Sequence, residues 1–145
     1  MKYTYDESYL NDIQKNLGFF FQSAICLLKF SPEQVQSIFL ESEVPHQIEI
    51  ANPDFLCGKS GFELLMIACK NISIDKSVTE ALNEPFYPQA EYWSGSVLAY
   101  YQWQTGVPFK DILEKFPLQH ILDNYQIMHE ADFSKMVALM NEVVL

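Results

Sequence analysis

The chain of 145 residues contains no arginine, and this absence limits the partners that it can bind. Its nine basic side chains are all lysines, and they are scattered, with only Lys110 and Lys115 close together. Proteins that bind nucleic acids neutralise phosphates with clustered Lys and Arg, and the arginine fork also reads guanine and grips phosphate. The sequence therefore disfavours DNA, RNA, nucleotides and anionic membranes as partners.

The scarcity of lysine leaves a large excess of acidic side chains. Nineteen Asp and Glu residues give a formal net charge of -10 at pH 7. Such a charge can serve solubility alone, because net charge governs solubility and association rather than fold. It also favours a basic protein as partner, since opposite charges steer two proteins together. Both interpretations remain open from the sequence.

Signals for secretion, membrane insertion and disulfide formation are also missing. The N-terminus is polar and charged, and the longest apolar segment, 17–30, is interrupted by polar residues and shorter than the about 20 residues that span a bilayer. Cys26, Cys57 and Cys69 are odd in number and widely spaced. We therefore expect a cytoplasmic protein without a membrane segment, whose cysteines are free and unreactive.

Aromatic side chains are abundant, at 14% of the residues, and they are densest in segment 92–106. On a helical period they cover most of the circumference, which predicts a central helix over about 92–105 that ends at Gly106 and is surrounded by other helices. Gly95 and Ala99 lie four residues apart and leave a groove in which another backbone can approach. The aromatics of this helix are Tyr92, Trp93, Tyr100, Tyr101 and Trp103.

Helix start signals recur along the rest of the chain. Thr4, Ser31 and Ser60 are each followed three residues later by Glu or Gln, which is the pattern of a capping box. Pro108 and Pro117 each restart a short helix. No segment except the short run 48–50 resembles a strand. Further helices are predicted over 4–29, 62–71, 78–82 and about 130–144.

These patterns predict an all-α fold, a single compact multi-helix domain of residues 1–145. Only a weak subdivision is indicated near 72–88, where prolines and polar residues interrupt the helical pattern. That segment is neither rich in Gly and Ser nor long, so we interpret it as a connection within one domain.

One cluster resembles a metal or acid–base site: His120, His129, Glu130 and Asp132. Its spacing matches neither HExxH nor a two-histidine helix face. Acidic residues before an apolar run are explained by their preference for a helix N-terminus. The chain also lacks a Gly-rich phosphate loop and a GxSxG elbow. We therefore predict no metal, no cofactor and no catalytic residue, and favour a binding protein over an enzyme.

An aromatic stripe with helical spacing is more often core than binding surface. The residues that we select as partner contacts lie near the two ends of the central helix, where side chains can reach the surface. Glu91 and Tyr92 stand at its start, and Tyr101, Trp103 and Gln104 at its exit. Core packing is the alternative for the aromatic members of this set.

The run Tyr92-Trp93-Ser94-Gly95, followed by segments 98–103 and 105–106, resembles a motif in a group of small bacterial proteins that look like companions of toxin-type genes. The resemblance spans most of the chain and also includes segments 6–17, 60–64, 109–112 and 129–132. In that group aromatics often stand where this chain has Ser96 and Gln104, so the same partner surface is not carried over. The resemblance implies an antitoxin-like or regulatory bacterial protein, and it supplies no catalytic residue.

Charge, motifs and resemblance together predict an antitoxin- or immunity-like module that neutralises or regulates a basic, toxin-like protein by stoichiometric association. The alternative is a small enzyme or ligand-binding domain with a pocket beside Trp93, Tyr101 and His129. No oligomeric state is predicted.

Overall fold

The computed structural model describes residues 3–73 and 87–145. Within these two ranges every regular element is a helix, so the predicted all-α class is confirmed, and segment 48–50 is the end of a helix and the turn after it rather than a strand. The predicted helix over 78–82, and most of the weak boundary near 72–88, lie outside the described residues. In chain order the helices are α1 Leu10–Gln22, α2 Pro32–Glu41, α3 Val44–Glu49, α4 Pro53–Leu56, α5 Gly61–Ala68, α6 Ala90–Thr105, α7 Phe109–Lys115, α8 Leu118–Asp123, α9 Tyr125–Met128 and α10 Phe133–Val144.

The predicted central helix is α6, which ends at Gly106 with a left-handed backbone (φ 72°). It crosses α1 at very short distance, because a Cβ atom placed on Gly95 would lie only 2.3 Å from the Leu17 carbonyl oxygen. The predicted approach of another backbone at Gly95 is therefore confirmed. The crossing is also fastened by hydrogen bonds, in which Ser96 Oγ donates to the Gln14 carbonyl (3.2 Å) and Gln14 Nε2 donates to the Ser96 carbonyl (3.3 Å).

The core lies between this helix pair and the shorter helices around it. Four fully buried phenylalanines form a chain of edge-to-face contacts, with ring centroids 5.2–5.5 Å apart. They come from α1, α2 and α7, so the chain of rings joins the first two helices to one that is distant in sequence. These residues are Phe20, Phe21, Phe39 and Phe109. None of the described helices combines the length and the apolar character needed to span a membrane.

The predicted capping box at Thr4 is wrong. Its hydroxyl donates instead to the Gln102 carbonyl (2.9 Å), and its amide donates to the Trp103 carbonyl (3.0 Å). The Trp103 carbonyl is one of the last in α6 and has no partner within that helix, so the Thr4 amide satisfies it, whereas the Gln102 carbonyl also accepts from the Gly106 amide (2.8 Å). Thr4 thus stabilises the end of α6 rather than the start of its own helix. Asp6 supplies the N-cap of a 3-10 turn, Glu7–Tyr9, that leads into α1.

The other two capping boxes are present, at Ser31 before α2 and at Ser60 before α5. Short helices also follow Pro108 and Pro117 as predicted, although the second gives way to α9 at Asn124. The first long helix is shorter than predicted, because α1 passes into a π-helical turn, Ser23–Leu27.

Candidate functional site

The five residues predicted as partner contacts do not form one surface. Glu91 and Tyr92 lie in the first turn of α6, whereas Tyr101, Trp103 and Gln104 lie in its last turns. At 1.5 Å per residue, the two groups are separated by about 13 Å or more along the helix axis. A single small patch therefore cannot include both groups.

The C-terminal end of α6 is largely buried. Tyr101 is fully buried and its hydroxyl donates to Asn141 Oδ1 (2.6 Å), while Trp103 is 4% exposed and its Nε1 donates to the Tyr5 carbonyl (2.8 Å). Internal hydrogen bonds of this kind allow Tyr and Trp to be buried without leaving a polar atom unpaired. Both side chains thus belong to the core in this structure. Gln104 is half-buried.

At the start of α6 the two predicted residues have different surroundings. The half-buried Glu91 carboxylate accepts a hydrogen bond from Cys26 Sγ (3.4 Å). Burial, reinforced by the charge of Glu91, raises the pKa of the Cys26 thiol to about 11. The Tyr92 ring covers the α1 backbone at Gly18, because a Cβ atom placed there would meet that ring at 2.8 Å.

Tyr92 also borders a cavity of about 260 Å³ between the start of α6, α9 and the start of α10. This cavity lies where the alternative interpretation places a pocket, since both Trp93 and His129 line it. Tyr101 is not part of its lining. The lining residues are Pro88, Gln89, Tyr92, Trp93, Ser96, Tyr125, His129 and Phe133.

Aromatic rings contact one another along the wall of the cavity. The Trp93 and Tyr125 rings meet edge to face, with centroids 5.5 Å apart, and the His129 ring stacks on Tyr125 at 4.4 Å. His129 Nδ1 lies 2.7 Å from the Tyr125 carbonyl oxygen. Because a carbonyl oxygen only accepts, Nδ1 carries the hydrogen, and Nε2 of the neutral ring has a free lone pair.

One buried side chain holds the segment before α6, which lines part of the cavity. Gln22 is 6% exposed, and its Nε2 donates to the Tyr87 carbonyl (2.8 Å) while its Oε1 accepts from the Gln89 amide (2.8 Å). These two bonds tie the backbone before α6 to the end of α1. They position Pro88 and Gln89 against the aromatic wall.

The edge of the cavity is acidic. Glu130 Oε1 lies 3.9 Å from His129 Nε2, and the Glu130 side chain is 90% exposed. Asp132, next to the lining residue Phe133, accepts a hydrogen bond from Ser134 Oγ (2.6 Å), and this bond holds the pKa of Asp132 below its usual value. Burial and then the charge of Asp132 raise the pKa of Tyr100, whose ring stacks on Phe133. Asp132 is thus ionised at neutral pH beside an apolar cavity.

Sequence reasoning did not select Tyr125, Phe133, Pro88 or Gln89. The pair Tyr125 and His129 could have been found, because residues four apart lie on one face of a helical segment. The contribution of the other three depends on tertiary packing. Throughout residues 3–73 and 87–145, no three His, Cys, Asp or Glu side chains come together as ligands for a metal ion.

No known protein family, curated protein or solved structure matches the chain. The resemblance to proteins that accompany toxin-type genes therefore stays a prediction. The surface charge and the aromatic cavity are the observations from which a function can be argued.

Proposed function

We propose that the protein is an acidic binding module that associates stoichiometrically with a basic protein and neutralises or regulates it, as an antitoxin or immunity protein does. The observation that supports this proposal is that the described carboxylates are mostly exposed and form few ion pairs. Every described Asp and Glu except Glu49 and Glu91 is exposed. Among the described residues, no lysine nitrogen lies within 4 Å of a carboxylate oxygen, and the one histidine that does is His129, with Nε2 3.9 Å from Glu130 Oε1.

Because the described carboxylates form no close ion pair with lysine, most of the negative charge on this part of the surface is uncompensated. Such a charge repels itself and so disfavours the compact state, but it attracts a basic protein and accelerates their encounter. Solubility alone would explain the charge, but it would not explain an open aromatic cavity with carboxylates at its edge. A protein interface commonly combines aromatic anchors with a polar rim, and the cavity and its edge supply both.

Association kinetics test this proposal. The protein is used as bait in a pull-down from its native host, and binding of the protein that it captures is followed at about 50 and 500 mM salt. Electrostatic steering predicts that the association rate constant falls on the order of tenfold, while the dissociation rate constant changes less. A captured protein whose association is insensitive to salt would contradict the proposal.

The second candidate is a small enzyme or ligand-binding domain that uses the same cavity. The free lone pair on His129 Nε2, beside Trp93 and Glu130, favours it, because such a nitrogen can accept a proton. Turnover of a small molecule that is lost in both His129→Ala and Glu130→Gln, together with capture of no protein, would establish this candidate instead.

A further inference from the structure

We propose that the aromatic cavity beside α6, α9 and α10 binds the guanidinium group of an arginine side chain presented by the basic partner. This inference rests on the proposed function and names the chemistry of the partner at one position. The cavity measures about 260 Å³. It is smaller than the usual small-molecule pocket of about 300–1,000 Å³, and its size suits one long side chain.

The lining favours a cation over a neutral apolar group. Tyr92, Trp93, Tyr125 and Phe133 contribute aromatic rings to it. The faces of aromatic rings are electrically negative and attract cations, most strongly at Trp. Guanidinium is planar and weakly hydrated, so it stacks on such rings at a lower desolvation cost than the ammonium group of lysine.

Hydrogen-bond acceptors stand beside these rings. His129 Nε2 offers a lone pair, and Glu130 Oε1 lies 3.9 Å from it. A guanidinium group carries five N–H donors in a rigid fork and can therefore engage both acceptors. Asp132 adds a second negative charge, which Lys135 compensates only in part.

The occupant must come from another protein. The chain contains no arginine, so neither its own segments nor a second copy of it can supply a guanidinium group. No lysine lines the cavity in the part of the chain that the structure describes. A guanidinium group that enters the cavity must therefore belong to a different protein, and the acidic edge of the cavity is complementary to a basic one.

Nuclear magnetic resonance of the full chain labelled with ¹⁵N tests the inference with N-acetyl-arginine amide as the probe. The protein has two tryptophans and therefore two indole N–H signals. Trp93 lines the cavity, whereas the buried Trp103 indole is bonded to the Tyr5 carbonyl and serves as an internal reference. We expect the Trp93 signal to shift in a saturable manner and the Trp103 signal to remain in place.

Two matched probes separate charge from shape. N-acetyl-citrulline amide has a planar but neutral end group, and we expect it to bind at least about tenfold more weakly than the arginine probe. N-acetyl-lysine amide should bind about threefold more weakly, since ammonium is more strongly hydrated. Citrulline affinity equal to that of arginine, or lysine affinity above it, would overturn the inference.

A pair of variants tests the acidic edge. Glu130→Gln should weaken binding of the arginine probe about two- to fivefold, the usual effect of losing one exposed ion pair. Glu114→Gln removes the same charge from an exposed position on α7 and should leave the affinity unchanged. Equal loss in both variants would show a general effect of net charge and would overturn the assignment to the cavity.

The outcomes also separate this inference from the function on which it rests. One outcome is a captured basic partner whose binding is salt-sensitive, while Glu130→Gln weakens neither that complex nor the binding of the arginine probe. That result would overturn the cavity assignment alone. Capture of no basic protein would overturn the proposed function, while the three amide probes would still decide whether the cavity selects guanidinium.

Discussion

Replacing Gly95 by alanine tests the closest contact in the fold. The added Cβ would lie 2.3 Å from the Leu17 carbonyl oxygen, 2.5 Å from the Leu17 carbonyl carbon and 2.6 Å from the Gly18 nitrogen. All three atoms belong to the backbone of α1, so no side-chain rotation can make room. The variant can fold only if α1 and α6 move apart.

The size of the effect follows from these distances. Ordinary van der Waals contact begins at 3.4 Å, so the two helices must separate by about 1 Å at the crossing. Overpacking of a core costs about 1–3 kcal/mol, and a rigid backbone contact belongs at the upper end of that range. Alanine recovers about 1 kcal/mol through its higher helix propensity. The net loss is about 2 kcal/mol, which lowers Tm by about 4–8 °C.

Chemical and thermal unfolding followed by circular dichroism measure this loss. Gly18→Ala is the matched comparison, because its Cβ would meet atoms of the Tyr92 ring at 2.8–2.9 Å, and a side chain yields more readily than the backbone of a packed helix. We expect that variant to lose less stability than Gly95→Ala, since the ring can shift without separation of the two helices and alanine gains the same helix propensity. A Gly95→Ala protein as stable as the wild type, or less destabilised than Gly18→Ala, would refute the backbone contact at this crossing.

Two further results are expected from the burial of single side chains. Tyr101→Phe removes a hydroxyl that donates to Asn141 Oδ1 at 2.6 Å. A urea titration should show a free energy of unfolding lower by about 1 kcal/mol, and the affinity for a partner that docks on the surface should not change. Iodoacetamide at pH 8 should alkylate the exposed Cys57 at least about tenfold faster than Cys26 or Cys69, because burial raises the pKa of the latter two thiols. Peptide mass spectrometry measures the three rates, and equal rates would contradict the burial of Cys26 and Cys69.

Local features of the sequence were enough to predict most helices. The capping boxes at Ser31 and Ser60 and the terminal Gly106 act within one or two turns, so their chemistry is complete in a few neighbouring residues. Thr4 has the same local pattern as Ser31 and Ser60, but the Gln102 and Trp103 carbonyls at the end of α6 compete for its hydroxyl and its amide. That competition joins residues almost a hundred positions apart and is not visible in a local pattern.

The site shows the same division between local pattern and tertiary packing. Composition alone established the absence of arginine and the excess of carboxylates, and helical spacing indicated that the aromatics surround α6. Only tertiary packing decided which of these aromatics lie in the core. Tyr101 and Trp103 are buried and form hydrogen bonds with other segments, whereas Trp93 is only partly buried. The cavity itself needs α9 and α10 to lie against α6, and the sequence by itself does not specify which helices meet.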